Sequence, residues 1–463
     1  MTIRSLPDEI LLRIFDFYVD ELGGHDNDWW HTLVHVCRNW RNAVFASPRR
    51  LNLQLRCTYK RSVRKMLHIW PELPVIIENY SDGTVKGADN VVSALTLNAR
   101  VSWIKLWRVS SSDLERFAAV MQDPFPALTD LQLTSSDETA PVISDAFLGG
   151  SAPRLQSLDF DGIPFPALPN LLLSATDLVD LHLWNIPHSG YFSPEAMVTS
   201  LSTMTRLKDL SLLFKSPRSR PSLASRLLPP VIRTVLPALT RLRFKGVTEY
   251  LEDLVAGIEV PSLAYIEIRF FNQLVFEISQ LPMFLCRTAM LPAIDQANVV
   301  FDKFRIVVTL SSSLETEAVD PTRLKLGISC RKLDWQLSSL AQVCNSCIPT
   351  LSSLKYLDIR EGRRSPRHWQ DDLENIQWLE LLQPFTTIQN FHLSQEFARH
   401  VAPALKELAG EPEVVEVLPA LREFFLDGLR LSGTVQEAIE HFVAARQLSG
   451  HPVAIHRYLE GKE

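Results

Sequence analysis

Leu128-Thr129-Asp130-Leu131-Gln132-Leu133 places an apolar residue, two variable ones, an apolar residue, one variable and another apolar residue in a row. An extended backbone turns successive side chains to opposite faces, so the fourth and sixth positions of such a stretch share one face and the third and fifth share the other. One strand of this kind cannot cover its own apolar face and needs neighbours built alike. They are present: the spacing returns at Leu155, Leu158 and Phe160, at Leu178, Leu181 and Leu183, at Leu207, Leu210 and Leu212, at Leu239, Leu242 and Phe244, and at Leu263, Ile266 and Ile268. Val101, Ile104 and Leu106 make a first copy; Leu354, Leu357 and Ile359, then Ile388, Phe391 and Leu393, then Leu421, Phe424 and Leu426 close the series. The starts from Leu128 to Leu263 are about 23 to 32 residues apart, against roughly 20 to 29 in regular arrays.

The spacing resembles the strand signature of leucine-rich repeats. It implies an α/β solenoid with parallel strands on a concave face and helices and loops on a convex one, where Pro194 to Leu201 and Leu373 to Leu382 have helical spacing. Repeats of paired helices would need about forty residues each, whereas these short β-compatible runs end at Pro, Ser or Gly. Pro282 to Gly327 breaks the pattern and holds either a degenerate repeat around Phe301, Phe304 and Ile306 or an insertion. Thr434-Val435-Gln436-Glu437 reads as a capping box before a helix through Arg446, and Val453 to His456 as a last edge strand.

Ahead of the repeats, Leu6-Pro7-Asp8-Glu9-Ile10-Leu11 reads as a helix start near Ser5, with proline in the first turn and carboxylates at the positive end of the dipole. Ile10, Leu11, Ile14, Phe15 and Tyr18 then recur at helical steps, as do Trp30, Leu33, Cys37, Trp40 and Val44 in a second helix closed by Ser47-Pro48. Two such helices carry too little apolar surface for a core of their own and call for an outside partner. With Val36-Cys37-Arg38-Asn39-Trp40-Arg41 following, residues 4 to 50 resemble the F-box, and the whole chain resembles the F-box/leucine-rich-repeat substrate receptors of the expanded families of mushroom-forming fungi. A longer Gly- and Asp-rich connection, Glu21 to Asp28, and Asn52 in place of a frequent Trp depart from the family. The resemblance implies an F-box over 1–50, a connecting segment over 51–90 and a leucine-rich-repeat-like solenoid with a C-terminal cap over 91–463. It also implies that Leu6, Pro7, Ile10, Leu11, Ile14, Phe15, Val36, Cys37 and Trp40 meet a Skp-type adaptor, through it a cullin-RING ubiquitin ligase, while the repeats hold a protein target.

Composition agrees with a non-catalytic receptor. A net charge of −6 speaks against nonspecific nucleic-acid binding, which needs a basic surface to displace counterions. Between Arg38 and Lys65 nine basic residues stand without an acid, after an acidic start, a pattern of a solvated and compensated face. No apolar run reaches the roughly eighteen residues of a membrane span, and six scattered cysteines suit a reducing compartment, so a cytoplasmic or nuclear protein is expected. Cys344-Asn345-Ser346-Cys347 lacks a second pair, His31 and His35 lack a third metal ligand, and no phosphate-binding glycine loop occurs; no catalytic residue, metal or cofactor is expected. Arg363, Arg364 and Arg367 make a weak basic cluster, and Ser193, Ser216 and Ser365 precede prolines as ordinary loops do.

The third, fifth and seventh positions of each copy would face outward. They give Trp103, Lys105 and Trp107; Asp130 and Gln132; Ser157, Asp159 and Asp161; Asp180, His182 and Trp184; Asp209 and Ser211; then Arg241, Arg243 and Lys245; Tyr265, Glu267 and Arg269; and Tyr356, Asp358 and Arg360. Stacked in order, these make an acidic stripe that passes into a basic one, suited to a bipolar protein target. Trp103, Trp107, His182, Trp184, Arg241, Arg243, Tyr265 and Arg269 are the candidate target contacts.

Overall fold

The computed structural model describes residues 6–21, 29–47, 51, 53–58, 73–80, 85–221, 232–273, 275–288, 294–312, 322–347, 354–362, 375–409, 417–427 and 433–458. The fold is mixed α/β, built on mostly parallel sheet with helices. Contacts divide the chain into two units, Met1–Phe192 with Thr199–Leu207, and Ser193–Val198 with Lys208–Glu463. The Gly- and Asp-rich connection, Asn52, the cluster Arg363, Arg364 and Arg367, and Ser365 lie outside the described residues.

The first unit opens with α1 (Asp8–Glu21), α2 (Trp29–Val36) and α3 (Arg38–Ala46), three helices where the spacing predicts two. Pro7 stands before α1 and not inside it; its carbonyl accepts the amides of Ile10 at 3.0 Å and Leu11 at 3.1 Å. The second expected helix breaks at Cys37, whose extended backbone (φ −160°, ψ 170°) caps α3 while its Sγ accepts the Trp40 amide at 3.4 Å. That thiol satisfies one of the amides that a helix start leaves without a partner. Leu11, Phe15, Leu33, Val34 and Val44 are buried, and the Phe15 ring meets Trp40 edge-on at 5.0 Å. Trp30 packs against Phe45 and donates its indole N–H to the Gln54 carbonyl at 3.2 Å.

Six parallel strands follow in spatial order: β1 (Leu55–Cys57), β2 (Val75–Tyr80), β3 (Val101–Val109), β4 (Asp130–Ser135), β5 (Ser157–Asp161) and β6 (Asp180–Ile186). β1 and β2 fall in the stretch read as a connecting segment, so the sheet begins ahead of the first recognised copy. Cys57, Ile77, Ile104, Leu131, Leu158 and Leu181 stand side by side in register, all buried. Beneath the neighbouring row, Phe160 joins Phe147 and Phe165 in an aromatic cluster with ring separations of 5.6 to 6.4 Å.

The second unit contains β7 (Asp209–Phe214), β8 (Thr234–Val235), β9 (Arg241–Gly246), β10 (Ile258–Glu259), β11 (Tyr265–Phe271), β12 (Gln296–Asp302), β13 (Arg305–Ser311), β14 (Thr322–Ser329), β15 (Tyr356–Glu361), β16 (Asn390–Leu393), β17 (Glu423–Asp427) and β18 (Ala454–Tyr458). β8 and β10 pair apart; the main sheet runs β7-β9-β11-β14-β13-β12-β15-β16-β17-β18. The irregular stretch is an insertion: β13 runs antiparallel between β14 and β12, Phe301 and Ile306 face each other across the hairpin, and Phe304 lies on its turn. Alternation survives the reversal. Leu242, Ile266, Leu324, Leu310, Ala297, Leu357, Phe391 and Phe424 form one buried row across parallel and antiparallel neighbours alike.

At the C-terminal end the helix Gly433–Leu448 starts one residue before Thr434, so Thr434 lies within its first turn. The helix buries Arg446, whose guanidinium donates to the carbonyls of Leu418 at 3.3 Å and Pro419 at 3.1 Å. β18 supplies the expected last strand.

A buried carboxylate holds one further joint. Glu252, in the helix Thr248–Gly257, accepts the amides of Ser279 (2.7 Å), Gln280 (2.6 Å) and Leu281 (2.9 Å) and the Ser279 hydroxyl (3.1 Å), capping the helix Gln280–Cys286 from outside. A side chain supplied by another element thus does the work of an N-cap. Glu252→Ala strands those donors and is expected to cost about 2–4 kcal/mol in urea unfolding, with Glu252→Gln milder because it keeps one acceptor oxygen.

Candidate interaction surfaces

Helix α1 has two apolar flanks. Leu11, Leu12 and Phe15 point into the helical core, while Ile10 and Ile14 are each 43% exposed and Phe17 is 73% exposed. Positions 10, 14 and 17 lie four and three residues apart, so they share one side of the helix. Of the residues expected to meet an adaptor, Pro7, Ile10, Ile14 and Val36 are therefore exposed, Leu6, Cys37 and Trp40 are half-buried, and Leu11 and Phe15 belong to the core. Phe17 went unrecognised in the sequence, although its step from Ile10 and Ile14 carries the signal.

In the first unit the outward side chains of β3 to β6 form registered rows. Trp103, Asp130, Ser157 and Asp180 make one, Lys105, Gln132, Asp159 and His182 the next, and Thr134, Asp161 and Trp184 a third. Trp103 is exposed, and Trp107, His182 and Trp184 are half-buried. A bulge after Leu106, with Arg108 at φ 53°, takes Trp107 out of the β4 register, and Lys105 Nζ lies 4.3 Å over its ring. The tryptophans of β3 and β6 thus flank an acidic strip across three strand spacings, about 14 Å. Burial pushes the Asp159 carboxyl up, Asp161 adds to this, and His182, a hydrogen bond from Trp184 and Lys105 oppose it; the balance lies above the ordinary carboxylate value. The His182 and Trp184 rings sit 5.7 Å apart.

The second unit pairs several of its outward cations with carboxylates. Asp209 holds Arg241 at 3.2 Å and Arg243 at 3.9 Å, while Glu267 holds Arg269 at 2.8 Å and Lys325 at 3.6 Å and accepts the Tyr265 hydroxyl at 3.1 Å. Asp209 and Ser211, expected to be open, are buried, with the two arginines ion-paired to Asp209 and the Ser211 hydroxyl 3.4 Å from its carboxylate. Arg241 remains exposed and Arg243, Tyr265 and Arg269 are half-buried, so the three arginines of the expected basic stripe are ion-paired, while Lys245 Nζ lies 5.3 Å over the Phe271 ring. For Glu267 burial works upward, but Lys325, Arg269 and the hydrogen bonds from Arg269 and Tyr265 together outweigh it, and its carboxyl titrates below the ordinary range. Beyond Lys325 the row turns neutral through Thr309 and Asn298, then reaches Asp358, His392, Phe425 and His456. An open depression of about 510 Å³ lies over Asn298, Thr309, Tyr356, Asp358 and His392. His392, Phe425 and His456 stack at 4.2 and 4.8 Å.

Cys344 and Cys347 lie one turn apart in the helix Leu333–Cys347; Cys344 is buried, and desolvation pushes its thiol up to about 12. Cys57 is raised to about 12 for the same reason. A thiol held protonated is a poor nucleophile and metal ligand. Among the described residues no group of three or more His, Cys, Asp or Glu side chains is placed to hold a metal ion, and no helix is long and apolar enough to cross a membrane.

No family model matches the chain, and no curated protein matches it. Among solved structures, the leucine-rich-repeat-containing protein LegL7 from Legionella pneumophila is similar at 14% identity and a TM-score of 0.27, over 70% of this chain and 93% of that one.

Two measurements check the electrostatics. Glu267→Gln should lower stability at neutral pH by about 1 kcal/mol, discounted because Arg269 and Lys325 are partly solvated. A depressed folded value means the wild-type advantage is present above the unfolded carboxylate value and is lost as pH falls through the folded one, so the two proteins should converge in acid. A bulky maleimide at pH 8 should label exposed Cys286 within minutes, while Cys57 and Cys344 react only on unfolding, as read by mass spectrometry of the peptides.

Proposed function

We propose that this chain is the substrate-recognition subunit of a Skp-cullin-F-box type ubiquitin ligase, which docks a Skp-type adaptor on its N-terminal helices and a protein target on the outward faces of its strands. The observation that carries the proposal is the division of α1 into a covered flank and an open one. Leu11 and Phe15 hold the helix to its own unit, while Ile10, Ile14 and Phe17 leave a second apolar flank in solvent. Isolated exposed hydrophobics are ordinary, but three aligned on one helix side favour a partner helix or groove. The F-box-like order of Leu6-Pro7-Asp8-Glu9-Ile10-Leu11 and Val36-Cys37-Arg38-Asn39-Trp40-Arg41 supports a Skp-type adaptor as that partner.

The chain itself performs no bond chemistry in this proposal. A cullin-RING assembly brings the activated ubiquitin, and the receptor contributes proximity, converting a bimolecular encounter into a local one. Target contacts belong to the strand faces, with Trp103, Trp107, His182 and Trp184 as aromatic anchors around Asp130, Asp159 and Asp161. Such an assembly would work in the cytoplasm or nucleus.

Co-expression with a Skp-type adaptor tests the coupling. Burying one isoleucine contributes about 1.5–3 kcal/mol, so Ile10→Glu/Ile14→Glu should weaken the pair by at least roughly a hundredfold in calorimetry while leaving the thermal midpoint of the free chain nearly unchanged. Leu11→Ala/Phe15→Ala should lower both. An adaptor that co-purifies with neither protein leaves a repeat scaffold without ligase coupling as the better description, and one that co-purifies equally with both overturns the assignment of the contact to Ile10 and Ile14.

A further inference from the structure

In the second unit the ends of β11 and β14, the β12–β13 turn and the start of the helix Leu333–Cys347 meet at one edge of the sheet. Around them lies an open cavity of about 450 Å³ lined by Asn272, Phe304, Ser329, Cys330, Arg331, Lys332 and Trp335. Its size is within the range of about 300–1,000 Å³ typical of ligand sites. Phe304 is 53% exposed and Trp335 45% exposed. Lys303 Nζ lies 5.3 Å and Arg331 Cζ 5.5 Å from the Phe304 ring centre, and Lys332 Nζ lies 5.4 Å from that of Trp335.

The wall behind these groups is fixed. Gln336, fully buried one residue beyond Trp335, donates to the Asp302 carbonyl at 3.0 Å and the Cys330 carbonyl at 2.8 Å, tying the hairpin turn to the loop that carries Arg331 and Lys332. The backbone that carries these cations is anchored, while the cations themselves form no ion pair among the described residues that would neutralise them. Among the described residues no carboxylate forms an ion pair with Lys303, Arg331 or Lys332, in contrast with Arg241, Arg243, Arg269 and Lys325 on the strand face of the same unit. An aromatic face attracts a cation yet leaves its charge uncompensated.

We propose that this cavity docks an acidic segment of a protein partner, with an aromatic or large aliphatic side chain between Phe304 and Trp335 and flanking carboxylates on Arg331, Lys332 and Lys303. Charge complementarity selects the occupant: three cations that no carboxylate among the described residues ion-pairs favour carboxylates, and Arg331 can grip one with two parallel hydrogen bonds. Two exposed rings reward an apolar side chain that water would otherwise surround. The inference rests on the target-capture half of the proposed function and deepens it, since it names the chemistry of one captured segment.

The test uses the full chain without adaptor, so its outcome is separate from that of the coupling experiment. A short fluorescein-labelled peptide of Glu and Asp with one central Phe is titrated by anisotropy, beside a Lys/Arg counterpart and a single-stranded RNA of equal charge. The acidic peptide is expected to bind, the basic one not, and binding should weaken as NaCl is raised. Arg331→Glu/Lys332→Glu should weaken it by on the order of tenfold or more, Trp335→Ala should also weaken it, and Lys406→Glu, exposed on the helix Gln395–Leu408, should leave it unchanged. All these positions are exposed, and circular dichroism confirms that the variants fold. No binding at low salt, equal binding by the Arg331/Lys332 variant, or RNA bound as tightly as the peptide would each overturn the proposal.

Discussion

Everything in this molecule depends on shared burial of alternate side chains along registered strands. No strand has an apolar face large enough to stabilise it, yet Ile104, Leu131, Leu158 and Leu181 in the first unit, and Leu242, Ile266 and Leu324 in the second, lie in continuous rows where each covers its neighbours. A fully buried side chain of this size contributes about 1.5–3 kcal/mol, and the backbone ladder fixes which side chains meet. The constraint is on alternation and not on strand direction. That is why the antiparallel β13 can stand between β12 and β14 with Leu310 and Val308 filling the same rows as the parallel copies.

The same distinction sets what the sequence could tell. Every recognised copy of the spacing became a strand with its fourth and sixth residues buried, because a period of two encodes burial directly. Direction leaves no such mark: Ala297, Val299 and Phe301 alternate as a parallel strand would, and only the short turn at Lys303 and Phe304 hints at a hairpin. β1 and β2 were missed because three-residue Leu55–Cys57 is too short to show a period and Val75-Ile76-Ile77 runs apolar without alternation. Glu252 could not be found at all, since its role as a cap depends on a helix that starts nearly thirty residues later in the chain.

Interaction surfaces were legible in part. Helical spacing identified the apolar residues of α1, but Ile10 and Leu11 are adjacent in sequence and only packing assigns one to solvent and the other to the core. The break at Cys37 escaped because cysteine is not a usual cap, although a sulfur can accept the amide that serine would take. On the strand faces the identity of outward residues was readable and their pairing was not. Arg241 and Arg243 read as free charges along the chain, while Asp209, one strand away and more than thirty residues earlier, holds both.

Surface that a fold leaves uncompensated is therefore more informative than surface that is merely charged or apolar. Arg241, Arg243, Arg269 and Lys325 on the strand face have carboxylates within 4 Å, and such pairs contribute little and ask for nothing further. The open flank of α1 is different, because a hydrophobic stripe aligned on one helix side stays in contact with water while the residues beside it complete a core. Lone exposed residues such as Ile232 or Leu448 have no comparable alignment and need no partner to account for them. Two kinds of exposure with the same chemistry thus differ in geometry: one is the ordinary remainder of a finite surface, and the other is an apolar stripe aligned on one side of a helix whose opposite flank is already covered.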